Sequence, residues 1–398
     1  MQNINSLVGL DQGQKYSKMK SCAPPAAYHG FHHIEMRVCN SYQAAMYFST
    51  FMGMDVIAYK GLETGSKDYS SYVLRGGDFF LILTSPLNSN EKKVNAYLKK
   101  HGDSIYDVAF LVDDAKAIYQ HAVENGAKTV SRPEVMKDSE GEVVIATVSA
   151  FGSVVHTFVE NKNYNGVFLP GYSTEHILES RLHTVLPDTS LGHIDHIVAN
   201  QGPGLLKTTT DFYIQCLGFH PYWSIDDDLL QTGNTGLRSM VVADYDETIK
   251  IPVNEPSENF KGVSQTQEFV DFHGLGGVQH VAICNNNLEV TVRAFRDRGG
   301  HVLPVPENYY DDLDIALEKC QLKLTVSVET MKELDMVVDF DENGYILQIF
   351  TRPLQSRPTS FFELMQRNNH DGFGAGNFKS LFSAIEKQQE ARGTLFRK

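Results

Sequence analysis

Apolar and polar positions follow two rhythms along this chain, and the rhythms recur in the same order. His33-Ile34-Glu35 opens a short stretch with the two-residue period of a strand. A helical period follows and ends at Tyr47-Phe48-Ser49-Thr50-Phe51-Met52-Gly53. His196-Ile197-Val198 opens a second such stretch, whose helix ends at Phe212-Tyr213-Ile214-Gln215-Cys216-Leu217-Gly218. A terminal glycine suits a left-handed helix end. Another pair is spaced identically. Asp107-Val108-Ala109-Phe110 leads to Gly126 and His280-Val281-Ala282-Ile283 leads to Gly299, 19 residues from Asp107 and His280 respectively. Strand-like runs follow each helix. In the first half they are residues 143–149 and 154–160; in the second, 337–340 and 345–351 stand in the equivalent place, joined by the turn Asp341-Glu342-Asn343-Gly344.

This pattern predicts four strand–helix–strands units, two per half, in an α+β arrangement whose sheets curl around central cavities. The layout resembles the two-domain vicinal-oxygen-chelate fold, built of four β-α-β-β-β units that form open, barrel-like sheets. Pro187, Asp188 and Ser190 interrupt the pattern and place a boundary within 182–190. The expected organisation is a loose polar tail over 1–27, an N-terminal structural and assembly domain over 28–185, and a C-terminal catalytic domain over 186–398.

Composition narrows the partners. Of 398 residues, 42% are hydrophobic and 21% charged, the balance of a chain that buries a core. The net charge of −14 repels phosphate backbones and argues against nucleic acid, though a local field can still accept a small anion. The five cysteines (Cys22, Cys39, Cys216, Cys284, Cys320) are odd in number and lack a Cys-x-x-Cys pair. Reduced thiols in the cytoplasm are therefore expected. The first 22 residues do not read as a secretory signal. The longest weakly charged stretch, 143–159, is short, β-branched and broken by Phe151-Gly152-Ser153, so two strands around a turn are expected and no membrane partner.

Candidate chemistry sits at equivalent repeat positions. His196 opens the third unit and His280 the fourth. Glu363 is the one charge in the apolar run Thr359-Ser360-Phe361-Phe362-Glu363-Leu364-Met365, costly to bury without a cation. Two imidazoles and a carboxylate form the facial set of a non-haem iron oxygenase. The first half keeps His33 where His196 sits but has Asp107 in place of His280, and its closing strand also ends in a carboxylate, Glu160. Spacing alone does not forbid a metal there; chemistry is assigned to the second half because the further motifs lie only there. By strand alternation, His193 and Asp195 should point away from His196.

Those further motifs resemble the 4-hydroxyphenylpyruvate dioxygenase family. They are Asp195-His196-Ile197-Val198-Ala199-Asn200-Gln201, Gly277-Val278-Gln279-His280-Val281-Ala282, Phe361-Phe362-Glu363-Leu364-Met365-Gln366-Arg367 and Gly372-Phe373-Gly374-Ala375-Gly376-Asn377-Phe378. Shorter blocks are Leu237-Arg238-Ser239, Pro252-Val253-Asn254-Glu255-Pro256, Ser264-Gln265 and Leu347-Gln348-Ile349-Phe350. The resemblance spans nearly the whole chain from Tyr28. It implies one iron(II) per chain on His196, His280 and Glu363. It also implies conversion of 4-hydroxyphenylpyruvate and O2 to homogentisate and CO2, in tyrosine and phenylalanine catabolism. Phe350, Phe373 and Phe378 are expected to flank an aromatic ring. Ser239, Asn254 and Gln265 offer neutral hydrogen bonds, Gln279 and Gln348 orient substrate or ligands, and Asn377 is placed with the substrate contacts.

Phe378, Leu381, Phe382 and Ile385 share a helical face, with Asn377 as N-cap and Gly393 as stop. Gly372 to Gly376 predicts a hinge, and the helix a lid that excludes water. A homodimer is expected, assembled through the first half. Three other readings remain open here: a hydroxymandelate synthase using the same substrate and iron site, an isomerase or extradiol dioxygenase on the same fold, and a non-catalytic binding protein. Bulky Phe350 favours ring hydroxylation over the first of these.

Overall fold

The computed structural model describes residues 23–179, 182, 185–224, 230–320 and 322–396. Within them the chain makes two eight-stranded sheets. The first contains β1 (Tyr28–Arg37), β2 (Asp55–Lys60), β3 (Tyr69–Gly76), β4 (Phe79–Pro86), β5 (Ser104–Val112), β6 (Lys128–Asp138), β7 (Gly141–Ser149) and β8 (Val155–Glu160). The second contains β9 (His193–Asn200), β10 (His220–Ser224), β11 (Leu237–Ala243), β12 (Lys250–Pro256), β13 (Gly277–Cys284), β14 (Val337–Phe340), β15 (Tyr345–Phe350) and β16 (Phe361–Asn368). The orders are β2-β3-β4-β1-β5-β8-β7-β6 and β10-β11-β12-β9-β13-β16-β15-β14. Adding eight to each strand number turns one sheet into the other, so the predicted four-unit repeat is the architecture.

The local signals act where the sequence places them. Helix α1 (Ser41–Phe51) starts at Asn40, whose side chain accepts from the Gln43 amide. Glu91, Asp114 and Asn287 do likewise for α2 (Lys92–His101), α3 (Ala115–Glu124) and α6 (Leu288–Asp297). Gly53, Gly126, Gly218 and Gly299 all carry positive φ, as the helix ends required. Gly152 (φ 56°) makes the turn from β7 to β8, and a Cβ there would fall 2.1 Å from the Gly276 carbonyl of the other half.

Three expectations change. The counterparts of β7 and β8 are β15 and β16, not β14 and β15. The missed member is β6, an edge strand exposed along most of its length, whose polar sequence hides the strand period. The second half also inserts α7 (Asn308–Cys320) and α8 (Val328–Leu334) before β14, and all four residues of β14 are buried. Tyr28 begins β1 as expected; residues 1–22 of the expected tail, including Cys22, lie outside the described residues. Cys39, Cys216 and Cys284 are free thiols. Among the described residues no helix is long and apolar enough to cross a membrane.

The halves pack reciprocally. Phe48 of α1 meets Phe362 of β16 edge-on at 5.9 Å. The equivalent residues of the other halves, Tyr213 of α4 (Leu206–Leu217) and His156 of β8, meet at 5.5 Å, with the Tyr213 hydroxyl 2.9 Å from His156 Nε2. Each half thus presses the first helix of its repeat onto the closing strand of the other. One hydrophobic core runs through both. Phe362 is the neighbour of Glu363, so this packing reaches the candidate site directly.

Candidate metal centre

The three predicted ligands converge. Strands β9 and β13 are antiparallel, and β16 runs parallel to β13 on its other side. The register sets His196 beside Ala282 and Ala282 beside Glu363, a row across three strands. His280 lies two residues from Ala282 and therefore on the same face. Ala282 is fully buried and small, so the flanking side chains can lean over it. His196 Nε2 is 3.7 Å and His280 Nε2 3.4 Å from Glu363 Oε2. One ligand atom from each lies within 4.8 Å of the others, and all three residues are buried.

Each ligand has its own support. His196 Nδ1 is 2.8 Å from Asp195 Oδ1, and His280 Nδ1 is 3.1 Å from Gln279 Oε1. Gln348 donates to Glu363 Oε1 at 2.8 Å. Both imidazoles therefore offer Nε2, and Glu363 offers Oε2, toward a common point. Burial, only partly offset by Glu363, lowers the His280 pKa and keeps that ring in the neutral, ligating form. Burial opposes ionisation of Asp195, yet hydrogen bonds from Arg367 and His196 outweigh it and hold that carboxylate well below its ordinary range. This donor set fits a divalent transition metal.

Asp195 overturns an expectation. Ile194 faces Ile283 and His196 faces Ala282, so Asp195 is an extra, bulged residue. A bulge bends the strand and re-aims a side chain, which turns Asp195 onto the face of His196. Gln279 is bulged likewise, between Val278 opposite Ala199 and His280 opposite Val198. Arg367 was also missed as a functional residue. Its signal was legible: it follows Glu363 by four residues, which puts both on one strand face.

A cavity opens over these three side chains. Ser239, Asn254, Gln265, Gln279 and Gln348 line it, as do Phe350, Phe373 and Phe378. Ser239 and Asn254 are cross-strand neighbours on β11 and β12. Gln265 begins α5 (Gln265–His273), and its Oε1 accepts from Gln279 at 3.2 Å. The apolar wall also includes Val198, Leu230, Leu237, Val241 and Pro252, which the sequence did not single out. Leu381 and Phe382 of α9 (Phe378–Arg392) complete it, while Ile385 lines a neighbouring cleft.

Asn377 departs from its expected place. It does not line the cavity, and its side chain makes no capping bond to α9. Instead its amide lies 2.8 Å from the Gln348 side chain and 3.1 Å from the Tyr309 hydroxyl. A 3-10 turn over Ala375–Asn377 leads into the helix in place of a side-chain cap. Gly393 ends α9 in the left-handed conformation, as expected.

The matching point in the first half is built differently. His33 and Asp107 hold the positions of His196 and His280, but the register of β5 and β8 puts Thr157 where Glu363 would be. Thr157 bonds Asp107 through both its amide and its hydroxyl. Glu160, which the sequence left open as a ligand, accepts from the Ala115 amide and pairs with Lys162 instead. The concave face is filled by Tyr164, Phe168 and Leu169, with Phe168 5.3 Å from the His33 ring.

Comparison with known proteins places the chain in a family. Residues 23–168 match the family model "Hydroxyphenylpyruvate dioxygenase, HPPD, N-terminal". Residues 193–349 match the model of the "Glyoxalase/Bleomycin resistance protein/Dioxygenase superfamily". A 4-hydroxyphenylpyruvate dioxygenase of Aspergillus fumigatus is 43% identical, over 93% of this chain and 95% of its own. One from Danio rerio is 44% identical over 97% and 95%. Among solved structures, a triple mutant of 4-hydroxymandelate synthase from Streptomyces coelicolor matches with a TM-score of 0.79 at 30% identity, covering 92% of this chain and 99% of that one. With such identity spread over nearly all of both chains, this protein belongs to the 4-hydroxyphenylpyruvate dioxygenase family.

Proposed function

We propose that the chain converts 4-hydroxyphenylpyruvate and O2 to homogentisate and CO2, with one iron(II) held by His196, His280 and Glu363. The observation that carries this reading is the convergence of two Nε2 atoms and Oε2 in a buried cavity walled by aromatic rings and neutral amides. Iron(II), when bound, supplies the redox centre at which 2-oxo acid and dioxygen meet. No lysine or arginine lines the cavity among the described residues, so the charge that balances a substrate carboxylate is the metal's.

The chain's own side chains select and orient. Phe350, Phe373 and Phe378 offer ring faces and edges to the substrate ring. Ser239, Asn254 and Gln265 give hydrogen bonds to phenol and keto oxygens without adding charge. Gln279 and Gln348 orient His280 and Glu363, and Asn377 acts through Gln348. Helix α9 serves as the lid: Leu381 and Phe382 cover the cavity and keep water out. Residues 28–185 support assembly as a homodimer, and the free thiols suit a reducing compartment such as the cytoplasm.

The test is anaerobic loading with iron(II), addition of 4-hydroxyphenylpyruvate and oxygen, and chromatography of the products. Homogentisate with matching CO2 supports the reading. The likeness to a hydroxymandelate synthase makes 4-hydroxymandelate the informative rival product, and its formation would move the reaction to the benzylic carbon. No oxygen uptake at all overturns both.

A further inference from the structure

We propose that Arg367 is a positioning residue for the metal centre, which fixes His196 through Asp195 and fixes Phe373 through the loop at 370–373. The inference rests on the metal reading above and extends it to a residue with no place in the donor set or the cavity wall.

Arg367 uses all three guanidinium nitrogens. Nε and Nη2 each donate to one oxygen of Asp195, both at 2.7 Å, a two-pronged pair. Nη1 donates to the His370 carbonyl at 2.9 Å and to the Gly372 carbonyl at 2.6 Å. The side chain of Arg367 is only 19% exposed and that of Asp195 8%, so solvent does not compete strongly for either.

The first prong has a chemical consequence at His196. A carboxylate held between a guanidinium and an imidazole only accepts hydrogen bonds. The proton of neutral His196 therefore sits on Nδ1, and the Nε2 lone pair is left for a metal. Removing Arg367 leaves a buried carboxylate whose remaining partner is the imidazole. It is then free to turn away, and the ring loses the partner that orients it.

The second prong has a steric consequence. Tying the carbonyls of His370 and Gly372 to Arg367 sets the path of the chain into Phe373. That ring then meets His196 edge-on at 5.2 Å, with the guanidinium 5.9 Å from its centre. The Phe373 carbonyl is 3.4 Å from Gln348 Nε2, the group that also supports Glu363. His196 and Glu363 are thus both tied to the segment that leads into α9. His280 is not: its partner Gln279 is joined to Gln265 on α5. The loss of Arg367 should therefore disturb one imidazole and spare the other.

Cobalt(II) titration of the full-length chain under nitrogen reads this without any turnover. Arg367→Met should weaken cobalt affinity about 10–100-fold. In the paramagnetic proton spectrum of the cobalt form, one of the two ligand imidazole N–H signals should shift or be lost to exchange while the other stays. Arg367→Lys keeps the charge but not the fork, and should recover part of the affinity. Asp195→Asn should reproduce the same one-sided change, and the double variant should add little to either single one. A folded Arg367→Met chain with unchanged affinity and both signals in place overturns the proposal. If that variant does not fold, Asp195→Asn decides by the same two readings. A wild-type chain that binds no cobalt would overturn the metal reading itself, and this inference with it.

Discussion

The two halves of this molecule share a strand order, a helix pattern and even a histidine, yet they part at two residues and one loop. Where the C-terminal sheet carries Glu363, the N-terminal sheet carries Thr157; where His280 stands, there is Asp107. In the first half the two side chains bond each other and Phe168 closes the space above them. In the second half the equivalent groups turn their donor atoms to a shared point and the space stays open. A sheet of this kind is thus a neutral platform. Its function depends on whether its concave face is filled by its own chain or left for a ligand.

Equivalent substitutions in the two halves should give unequal results. Glu363→Ala removes one of the three converging donors and should abolish both metal retention and product formation. Thr157→Ala should leave both intact and cost about 1–3 kcal/mol of stability, because it removes the hydroxyl bond to buried Asp107 and leaves only the backbone amide bond. Equal losses of turnover in the two variants would break the comparison.

The reciprocal packing gives the next largest effect. Phe48→Ala should cost about 3–5 kcal/mol and also lower metal affinity, since Phe362 beside Glu363 loses its support. Tyr213→Phe, at the mirror contact, should cost about 1 kcal/mol and leave metal affinity alone. Denaturant titration and metal titration of both chains measure this. A third comparison concerns the glycine-rich approach to α9. Gly374 has φ 73°, and a Cβ there would lie 1.9 Å from the Gln348 side-chain oxygen. Gly374→Ala should cost about 1–3 kcal/mol from backbone strain alone and reduce kcat by displacing Gln348 from Glu363. Unchanged kcat would show that Gln348 is not needed to hold Glu363.

The last prediction is a pH slope in the N-terminal half. Burial, against the hydrogen bonds of Thr157 and with help from Glu35, pushes the Asp107 pKa from 3.8 up to about 8. The folded chain therefore keeps a proton that the unfolded chain releases near pH 4. The resulting stability is complete below that point and is lost as the pH rises through about 8. Asp107→Asn removes the titration. Its melting temperature should fall less than that of the wild type between pH 5 and 9, and parallel curves would contradict the assignment.

Much of this was already legible in the sequence. The paired spacings to Gly126 and Gly299 and the matching openings at His33 and His196 define the repeat because helix and strand periods are local properties. His196, His280 and Glu363 could be picked out because a buried carboxylate and two histidines at repeat-equivalent positions need a common reason. Local pattern failed where a second strand intervened. Alternation turned Asp195 away from His196, and only the bulge against β13 brings it back. Asn377 read as a helix cap, but the side chains of Gln348 and Tyr309 lie close enough to draw its amide inward. Nothing in residues 164–172 announces that they fill the first cavity; that follows from where the loop lands on a sheet already formed. The sequence by itself determined the units, their order and the three candidate donor residues. The tertiary structure decided which cavity stays open and which neighbours hold the ligands, because both depend on cross-strand register and on contacts between residues far apart in the chain.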